Sequence, residues 1–208
     1  MSVINALKWR YAVNQFSSHT LTPEQIFGLT ESVRLAPAAY GIQPYQLIVV
    51  ASDENKRACL AHSYGQQKVA ECSHLLVLAH KTTLTQADIN HFIEQLAITQ
   101  GKSAKQLAQY QQQISSDLLA YSPEQQFAWS REQLHIALGT LLTYAASNQI
   151  DACPMTGFDR DGVNQVLGLT EQGLSAAVLC PVGIRSTEDL SALRSKHRLT
   201  HKQLVIHR

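Results

Sequence analysis

The sequence lacks the glycine spacings of the common nucleotide-binding loops. None of its ten glycines falls into a GxGxxG or GxxxxGK pattern, so dinucleotide-fold and P-loop chemistry have no support. Neither an HExxH metal-binding pattern nor a GxSxG nucleophile elbow is present. The nine histidines are scattered singly, and each is better explained as a surface or core residue than as a metal ligand. The sequence therefore contains no motif that supports a hydrolase or a metal-dependent function.

A strong charge of one sign is also missing. Seventeen basic and sixteen acidic residues leave a formal net charge of +1. That balance argues against bulk attraction to nucleic acid or to an anionic membrane. No basic and apolar leader opens the sequence, and no apolar run is long enough to span a bilayer. We expect a cytoplasmic protein with neither nucleic-acid nor membrane partners.

Cysteines are few and far apart. Cys59, Cys72, Cys153 and Cys180 mostly lie inside apolar helix or strand patterns, which suggests neither a zinc knuckle nor a disulfide framework. Buried reduced thiols are the expected state. The 208 residues are 45% hydrophobic and contain no linker-like stretch, so we expect one domain over residues 1–208 with a substantial core.

Patterns typical of helix N-termini occur repeatedly along the sequence. Thr22-Pro23 predicts a helix that ends near Ala36, before Pro37, and Thr85, Ser103 and Ser122 each begin a capping-box pattern in a helical middle section. Residues 134–146 are apolar on nearly every side, which predicts burial all round and hints at a dimer interface. Further helices are predicted at about 3–9, 53–62 and 66–72.

Strand-like segments lie early and late in the sequence. Continuous apolar runs predict strands at residues 46–52, 75–79 and 174–184, the first of them covered on both faces. Residues 203–207 are predicted to be extended. Strands grouped at both ends around a helical middle favour an α+β fold over a regular βαβ series.

Four segments carry more chemistry than packing requires. The loop at residues 37–45 contains two prolines and a glycine, and the turn at residues 153–159 can present backbone N–H donors. The basic cluster at residues 194–198 could hold a phosphate by charge-assisted hydrogen bonds. Arg10 lacks an acidic neighbour in sequence. Taken singly, each segment has an ordinary explanation that fits as well. The loop at 37–45 could be a simple connection and residues 153–159 a simple turn. The basic cluster could be a solvated tail, and Arg10 a surface arginine.

Taken in order, these segments resemble the FMN-dependent nitroreductase family, in particular its oxygen-insensitive NAD(P)H nitroreductase and dihydropteridine reductase branch. The resemblance covers essentially the whole chain. It rests on residues 6–10 with Phe16, the loop at 37–45, residues 72–74 before a strand, Trp129 ahead of a helix containing Gly139, and the segments 154–159, 181–183 and 196–198. It implies an α+β fold with a mixed sheet flanked by helices, and an intertwined homodimer with FMN at each interface.

The resemblance also implies a set of cofactor-binding residues. Three cations would hold the FMN phosphate and ribityl chain, with backbone near Tyr11 and Ala12 assisting. Backbone N–H groups of Thr156 and Gly157 would face the flavin, and Lys68 would lie near its pyrimidine end. The phosphate cations are Arg10, Lys196 and Arg198; Pro154 and Met155 would pack on the ring, and Pro37, Ala38, Ala39 and Gly41 would come from the other subunit.

Several positions depart from the family pattern. The family usually has Pro-Ser-Ser-x-Asn in the loop, where this chain has Pro-Ala-Ala-Tyr-Gly at residues 37–41. Ala12 and Asn14 replace a serine and a cation, which would cost about 2 kcal/mol or more of FMN binding if nothing compensates. Gly65 replaces a frequent asparagine, and Thr156 a frequent glutamate.

The implied function is reduction of nitroaromatic, quinone or pterin-type acceptors by NADH or NADPH, through two-electron ping-pong exchange at FMN. The flavin supplies the chemistry, so no catalytic side chain is predicted, and Tyr40 and Tyr64 are candidate walls of the substrate pocket. A flavin-binding protein without efficient turnover is the alternative. A nucleic-acid-binding role for the cluster at 194–202 is disfavoured by the near-neutral charge.

Overall fold

The computed structural model describes the whole chain, residues 1–208. Helices account for most of the regular structure, and four strands form one sheet. In chain order the elements are α1 (Val3–Trp9), α2 (Pro23–Arg34), β1 (Tyr45–Val50), α3 (Asp53–Ala61), α4 (Lys68–Glu71), β2 (His74–Lys81), α5 (Gln86–Gln100), α6 (Ala108–Leu118), α7 (Pro123–Ser147), β3 (Asp151–Ala152), α8 (Arg160–Val166), β4 (Leu174–Gly183) and α9 (His201–Leu204).

Side-chain caps fix the helix starts that the sequence predicts. Thr22, Thr85 and Ser122 each accept a hydrogen bond from the third helical N–H, and the residue at that position bonds back to the cap. A proline follows Thr22 and Ser122 at the first helical position, where its missing N–H costs nothing. The Ser103 box opens a 3-10 turn at Ala104–Leu107 that leads into α6.

The sheet has the strand order β1-β2-β4-β3, and all three pairings are antiparallel. Parallel pairing is confined to an isolated bridge between Ala12 and Ala152. Every residue of the central strand β4 is buried, which agrees with the continuous apolar run in its sequence. The α+β class is confirmed, and the mixed character of the sheet rests on that one bridge.

Alternate residues of the central strands face two different cores. Leu75 and Val77 of β2 belong to a cluster shared with α3 and α8, whereas Leu76 and Leu78 belong to a cluster shared with α2 and α7. A third, smaller cluster joins α5 and α6. The sheet is therefore covered by helices on both faces.

Three expectations about these elements are wrong for the single chain. Strand β1 lies at the sheet edge with only Val50 buried, so it is not covered on both faces. Helix α7 leaves one face open, where Ile136 is 46% exposed. The C-terminal segment contains the short helix α9 because Thr200 and Gln203 form a capping box, a signal stronger than the β propensity of the residues after it.

The four cysteines are all buried and unpaired, as predicted. None of the helices is both long enough and apolar enough to cross a membrane.

Candidate functional site

Three cations that are far apart in sequence come together where α1 ends. Arg10 follows α1 directly, and Lys196 donates a hydrogen bond to the carbonyl oxygen of Lys8. Burial lowers the pKa of Arg10, and the positive charge of Arg198 lowers it further. The pKa of Lys196 is likewise lowered by burial and then by Arg10 and Arg198. The side chains of these three residues form no ion pair with a carboxylate.

A cavity of about 660 Å³ adjoins this cluster. Its walls combine apolar side chains of α1 with the basic C-terminal segment, and no aspartate or glutamate is among them. Arg10 is half-buried, whereas Lys196 and Arg198 are exposed. Neighbouring cations that lack their own carboxylate are suited to an anionic ligand, since bringing like charges together costs free energy until an anion compensates them. The aromatic and basic residues that line the cavity are Trp9, Tyr11, Arg185, Arg194, Lys196 and Arg198, together with Lys8.

Arg185 anchors the wall of the cavity, and no pattern in the sequence predicts a role for it. Its guanidinium bonds to both carboxylate oxygens of buried Asp151, with Nη2 at 2.6 Å from Oδ1. The same group lies 4.2 Å from the ring centre of Trp9 and 4.5 Å from that of Tyr11. Stacking and a two-point ion pair together fix the aromatic residues on either side of Arg10. The only local signal was an arginine directly after a buried strand.

Asn14 and Lys68 meet in a second polar group. Lys68 Nζ donates to Oδ1 of Asn14 at 2.9 Å, and Nδ2 of Asn14 donates to Ser191 Oγ at 2.8 Å. Asp189 holds the same segment, because its carboxylate accepts from the Asn14 N–H and from the Tyr11 hydroxyl. The structure therefore links residues 11–14 to Lys68 and to the segment after β4. No pattern in the sequence marks Asp189 as a site residue.

Thr156 and Gly157 offer the backbone donors that the sequence suggests. On either side of them the chain is fixed: Met155 pairs with Leu179 in an isolated bridge, and Gln66 Nε2 donates to the Gly157 carbonyl at 3.1 Å. The backbone N–H groups of Thr156 and Gly157 have no hydrogen-bond acceptor within the chain. Pro154 is half-buried, whereas Met155 is buried in the core. Two adjacent exposed donors on a fixed turn can address the edge of a heteroaromatic ring.

The loop at residues 37–41 lies against a different part of the chain. The Ala39 N–H donates to Oε1 of Gln133 in α7 at 2.9 Å, and the Tyr40 carbonyl accepts from the Tyr110 hydroxyl of α6 at 2.7 Å. Tyr40 has a positive φ of 59° and its hydroxyl donates to Asp117. No hydrogen bond connects this loop to Arg10, Lys68, Thr156 or the basic C-terminal segment.

Tyr64 forms no hydrogen bond with the cation cluster around Arg10 or with the group of Asn14 and Lys68. It is 74% exposed and has a φ of 50°, followed by Gly65 with a φ of 70°. Two successive residues in the left-handed region make a tight turn that projects the phenol ring toward solvent. The turn lies next to His62, whose Nδ1 is 3.0 Å from the Asp159 carboxylate. Tyr64 is thus close in sequence to the residues that brace the 156–157 turn.

Comparison with known proteins adds independent evidence. A family model described as the nitroreductase family matches residues 7–184. An oxygen-insensitive NAD(P)H nitroreductase of Salmonella typhimurium is 26% identical over 211 aligned residues, and the alignment covers 96% of each protein. The alignment runs almost from end to end of both chains, so the similarity is not confined to one motif.

Solved structures share the same architecture. A nitroreductase family protein from Streptococcus pneumoniae superposes with a TM-score of 0.84 at 22% identity, covering all of both chains. A protein from Exiguobacterium sibiricum, described as a nitroreductase in complex with FMN, superposes with a TM-score of 0.86 at 15% identity and covers 100% of this chain and 98% of its own. Both likenesses concern the fold.

Proposed function

The chain belongs to the nitroreductase family, and from that membership we propose that it is a homodimeric, FMN-dependent oxidoreductase that uses NADH or NADPH. Residues 1–208 would form one functional domain. The observation that carries the proposal is the group of Arg10, Lys196 and Arg198, drawn from opposite ends of the chain and left without a carboxylate. Uncompensated cations at that position fit a phosphate monoester such as that of FMN.

The flavin ring would extend from this phosphate group toward the 156–157 turn. Thr156 and Gly157 supply two backbone donors that lack acceptors, which suits the N5 and O4 edge of an isoalloxazine. Lys68 would place a positive charge near the pyrimidine end, where it stabilises negative charge on the reduced ring. Its hydrogen bond to Asn14 keeps the ammonium from extending freely into solvent. Tyr11, Ala12 and Pro154 would line the same groove.

A second copy of the chain would complete the site. The loop at residues 37–41 is held by Gln133 and Tyr110, away from the basic cluster of its own chain. The face of α7 that includes Ile136 and Gly139 is not covered by the chain itself, and β1 is an open edge. We propose that these surfaces meet in a homodimer and that Pro37, Ala38, Ala39 and Gly41 reach the partner's FMN site.

FMN supplies two-electron transfer when it is bound, accepting a hydride from the nicotinamide and passing the electrons to an acceptor. The chain's own part is to orient both substrates in turn and to exclude water from the ring face. Nitroaromatics, quinones and pterin-type compounds are the proposed acceptors, with Tyr40 of one subunit and Tyr64 as candidate pocket walls. The protein is proposed to act in the cytoplasm.

A steady-state experiment tests turnover. Initial rates with FMN-loaded protein would be measured against NADH concentration at several concentrations of a quinone and of a nitrofuran. Parallel double-reciprocal lines are expected, because the reductant leaves before the acceptor enters. Intersecting lines would contradict the ping-pong order. Bound FMN without acceptor reduction would contradict the enzyme proposal and favour the alternative, a flavin-binding protein of this fold without efficient turnover.

A further inference from the structure

A second basic pocket includes Thr156 of the 156–157 turn in its wall. It has a volume of about 360 Å³ and is formed by the first half of α7, the start of α8 and Thr156. The lining residues are Arg131, Glu132, His135, Thr156, Arg160 and Ala177. None of them belongs to the cation cluster around Arg10, so this pocket and the phosphate site lie in different parts of the chain.

Helix geometry explains why the cations face the same way. Phe127, Arg131 and His135 are spaced four residues apart on α7 and therefore share one face. This face adjoins the one with Ile136 and Gly139, so the pocket would border the proposed homodimer interface. His135 Nδ1 lies 2.7 Å from the Arg131 carbonyl oxygen, which orients the imidazole along the helix. Arg160, the first residue of α8, lies 5.9 Å from the centre of the Phe127 ring. Phe127 thus links the start of α8 to the face of α7 that carries Arg131, and both arginines line one pocket.

The two guanidinium groups have no ionic or hydrogen-bonding partner in the chain. Neither Arg131 nor Arg160 forms an ion pair or donates a side-chain hydrogen bond, and Glu132 is unpaired as well. His80 packs edge-on against Phe127, but burial and then the charges of Arg160, Arg131 and His135 lower its pKa, so it adds no charge. Two arginines against one glutamate leave the pocket positive. Guanidinium forks are well matched to carboxylate and phosphate oxygens.

We propose that this pocket is an anion subsite that fixes an anionic group of a redox substrate while its reacting part lies at the flavin edge. The inference rests on the proposed function, because Thr156 both lines the pocket and supplies a donor for the flavin. The shared ligand chemistry is a carboxylate or a phosphate. It could come from an acidic acceptor or from the 2′-phosphate of NADPH, and these sources are separable by experiment.

Calorimetry with FMN-loaded protein measures the subsite without turnover. Two matched pairs of probes would be titrated: benzoate against benzamide, and adenosine 2′-monophosphate against adenosine. At least one anionic member should bind more tightly than its neutral counterpart. R131Q and R160Q should each weaken that anion roughly tenfold, the usual scale for one charge-assisted hydrogen bond. Glu132→Gln should strengthen it.

The matched control is Arg57→Gln on the exposed side of α3, which should leave both anions unchanged. If R131Q and R160Q weaken only the binding of benzoate, the anion comes from a carboxylate-bearing acceptor. If they weaken only the binding of adenosine 2′-monophosphate, the anion is the 2′-phosphate of NADPH. Equal binding of anionic and neutral probes, or equal effects of R57Q and R131Q, would overturn the subsite. Since no step requires flavin reduction, a protein that fails to turn over but keeps the anion preference would refute only the proposed function.

Discussion

Lys68 donates a hydrogen bond from its ammonium group to Oδ1 of Asn14 at 2.9 Å. The resemblance to nitroreductases places both residues at the cofactor site, and it counts the change of a cation to Asn14 as a loss of binding energy. Within the chain, the Asn14 amide joins Lys68 on one side to Ser191 on the other. Asn14 therefore acts as a positioning residue for Lys68, and in the proposed site the phosphate charge would be met by Arg10, Lys196 and Arg198.

Replacing Arg10 tests the phosphate cluster. Arg10→Gln should raise the dissociation constant of FMN by roughly tenfold or more, because one charge-assisted contact is lost from a half-buried site. Riboflavin, which lacks the phosphate, should lose much less affinity. Fluorescence quenching of each flavin by wild type, Arg10→Gln and the control Arg57→Gln gives the comparison. Equal losses for FMN and riboflavin would show that Arg10 does not contact the phosphate.

Asp189 should make folding stability dependent on acid pH. Burial alone would raise its pKa, but hydrogen bonds from the backbone of Asn14, Ser191 and Gln15 lower it below the ordinary value. A carboxyl whose folded pKa is depressed stabilises the protein fully above its unfolded pKa of about 4, and that contribution is lost as pH falls through the folded pKa.

The corresponding variant is Asp189→Asn, which should lower the free energy of unfolding at pH 7 by about 1–3 kcal/mol. The loss should shrink as the wild type is acidified below about pH 4. Urea denaturation across pH 3 to pH 7 measures both effects, with the exposed neighbour Glu188→Gln as the control. A difference between wild type and D189N that does not change with pH would contradict the assignment.

Replacing Arg185 with lysine should destabilise the protein, although the positive charge is kept. A lysine keeps the charge but cannot contact both Asp151 oxygens while stacking on Trp9 and Tyr11. We expect Arg185→Lys to cost about 1–3 kcal/mol of stability, since Asp151 is buried and loses a charged partner. Thermal and chemical denaturation measure it. Arg57→Lys, on the exposed side of α3, should leave the midpoint unchanged, and an equal effect of both substitutions would contradict the role of the pair.

The cysteines should be unreactive in the folded protein. Burial raises the pKa of Cys59 to about 11 and that of Cys72 to about 12, and it also raises those of Cys153 and Cys180. The reactive thiolate is therefore scarce at pH 8 and sterically covered. A disulfide reagent should label no thiol rapidly in native protein and four after denaturation. Fast native labelling of one thiol would show that its surroundings open.

Local signals account for what the sequence predicted well. The caps at Thr22, Thr85 and Ser122 involve residues three apart, so their chemistry is readable directly from the chain. The same signal at Thr200 correctly indicates α9, where β propensity alone predicted an extended segment. Apolar runs located β2 and β4, but they cannot reveal which strand lies at the edge, and β1 was misjudged for that reason.

Long-range polar partners account for what was missed. Asp151 and Arg185 are 34 residues apart, and Tyr11 and Asp189 are 178 apart, so no spacing rule connects them. Their pairing depends on β3 lying beside β4 and on the chain after β4 returning to α1. The resemblance identified Arg10, Lys68 and Lys196 as site residues. It said nothing of the residues that hold them in place, because those act through other side chains.

The proposed function depends on two properties, namely that the chain binds FMN and that NADH or NADPH reduces the bound flavin. The direct measurement is the visible absorbance spectrum of the purified protein, supplied with FMN, before and after anaerobic addition of each nucleotide. We predict a protein-bound flavin spectrum that bleaches on addition of at least one nucleotide. A bound flavin that stays oxidised with both, or no flavin binding after FMN is added, would contradict the account.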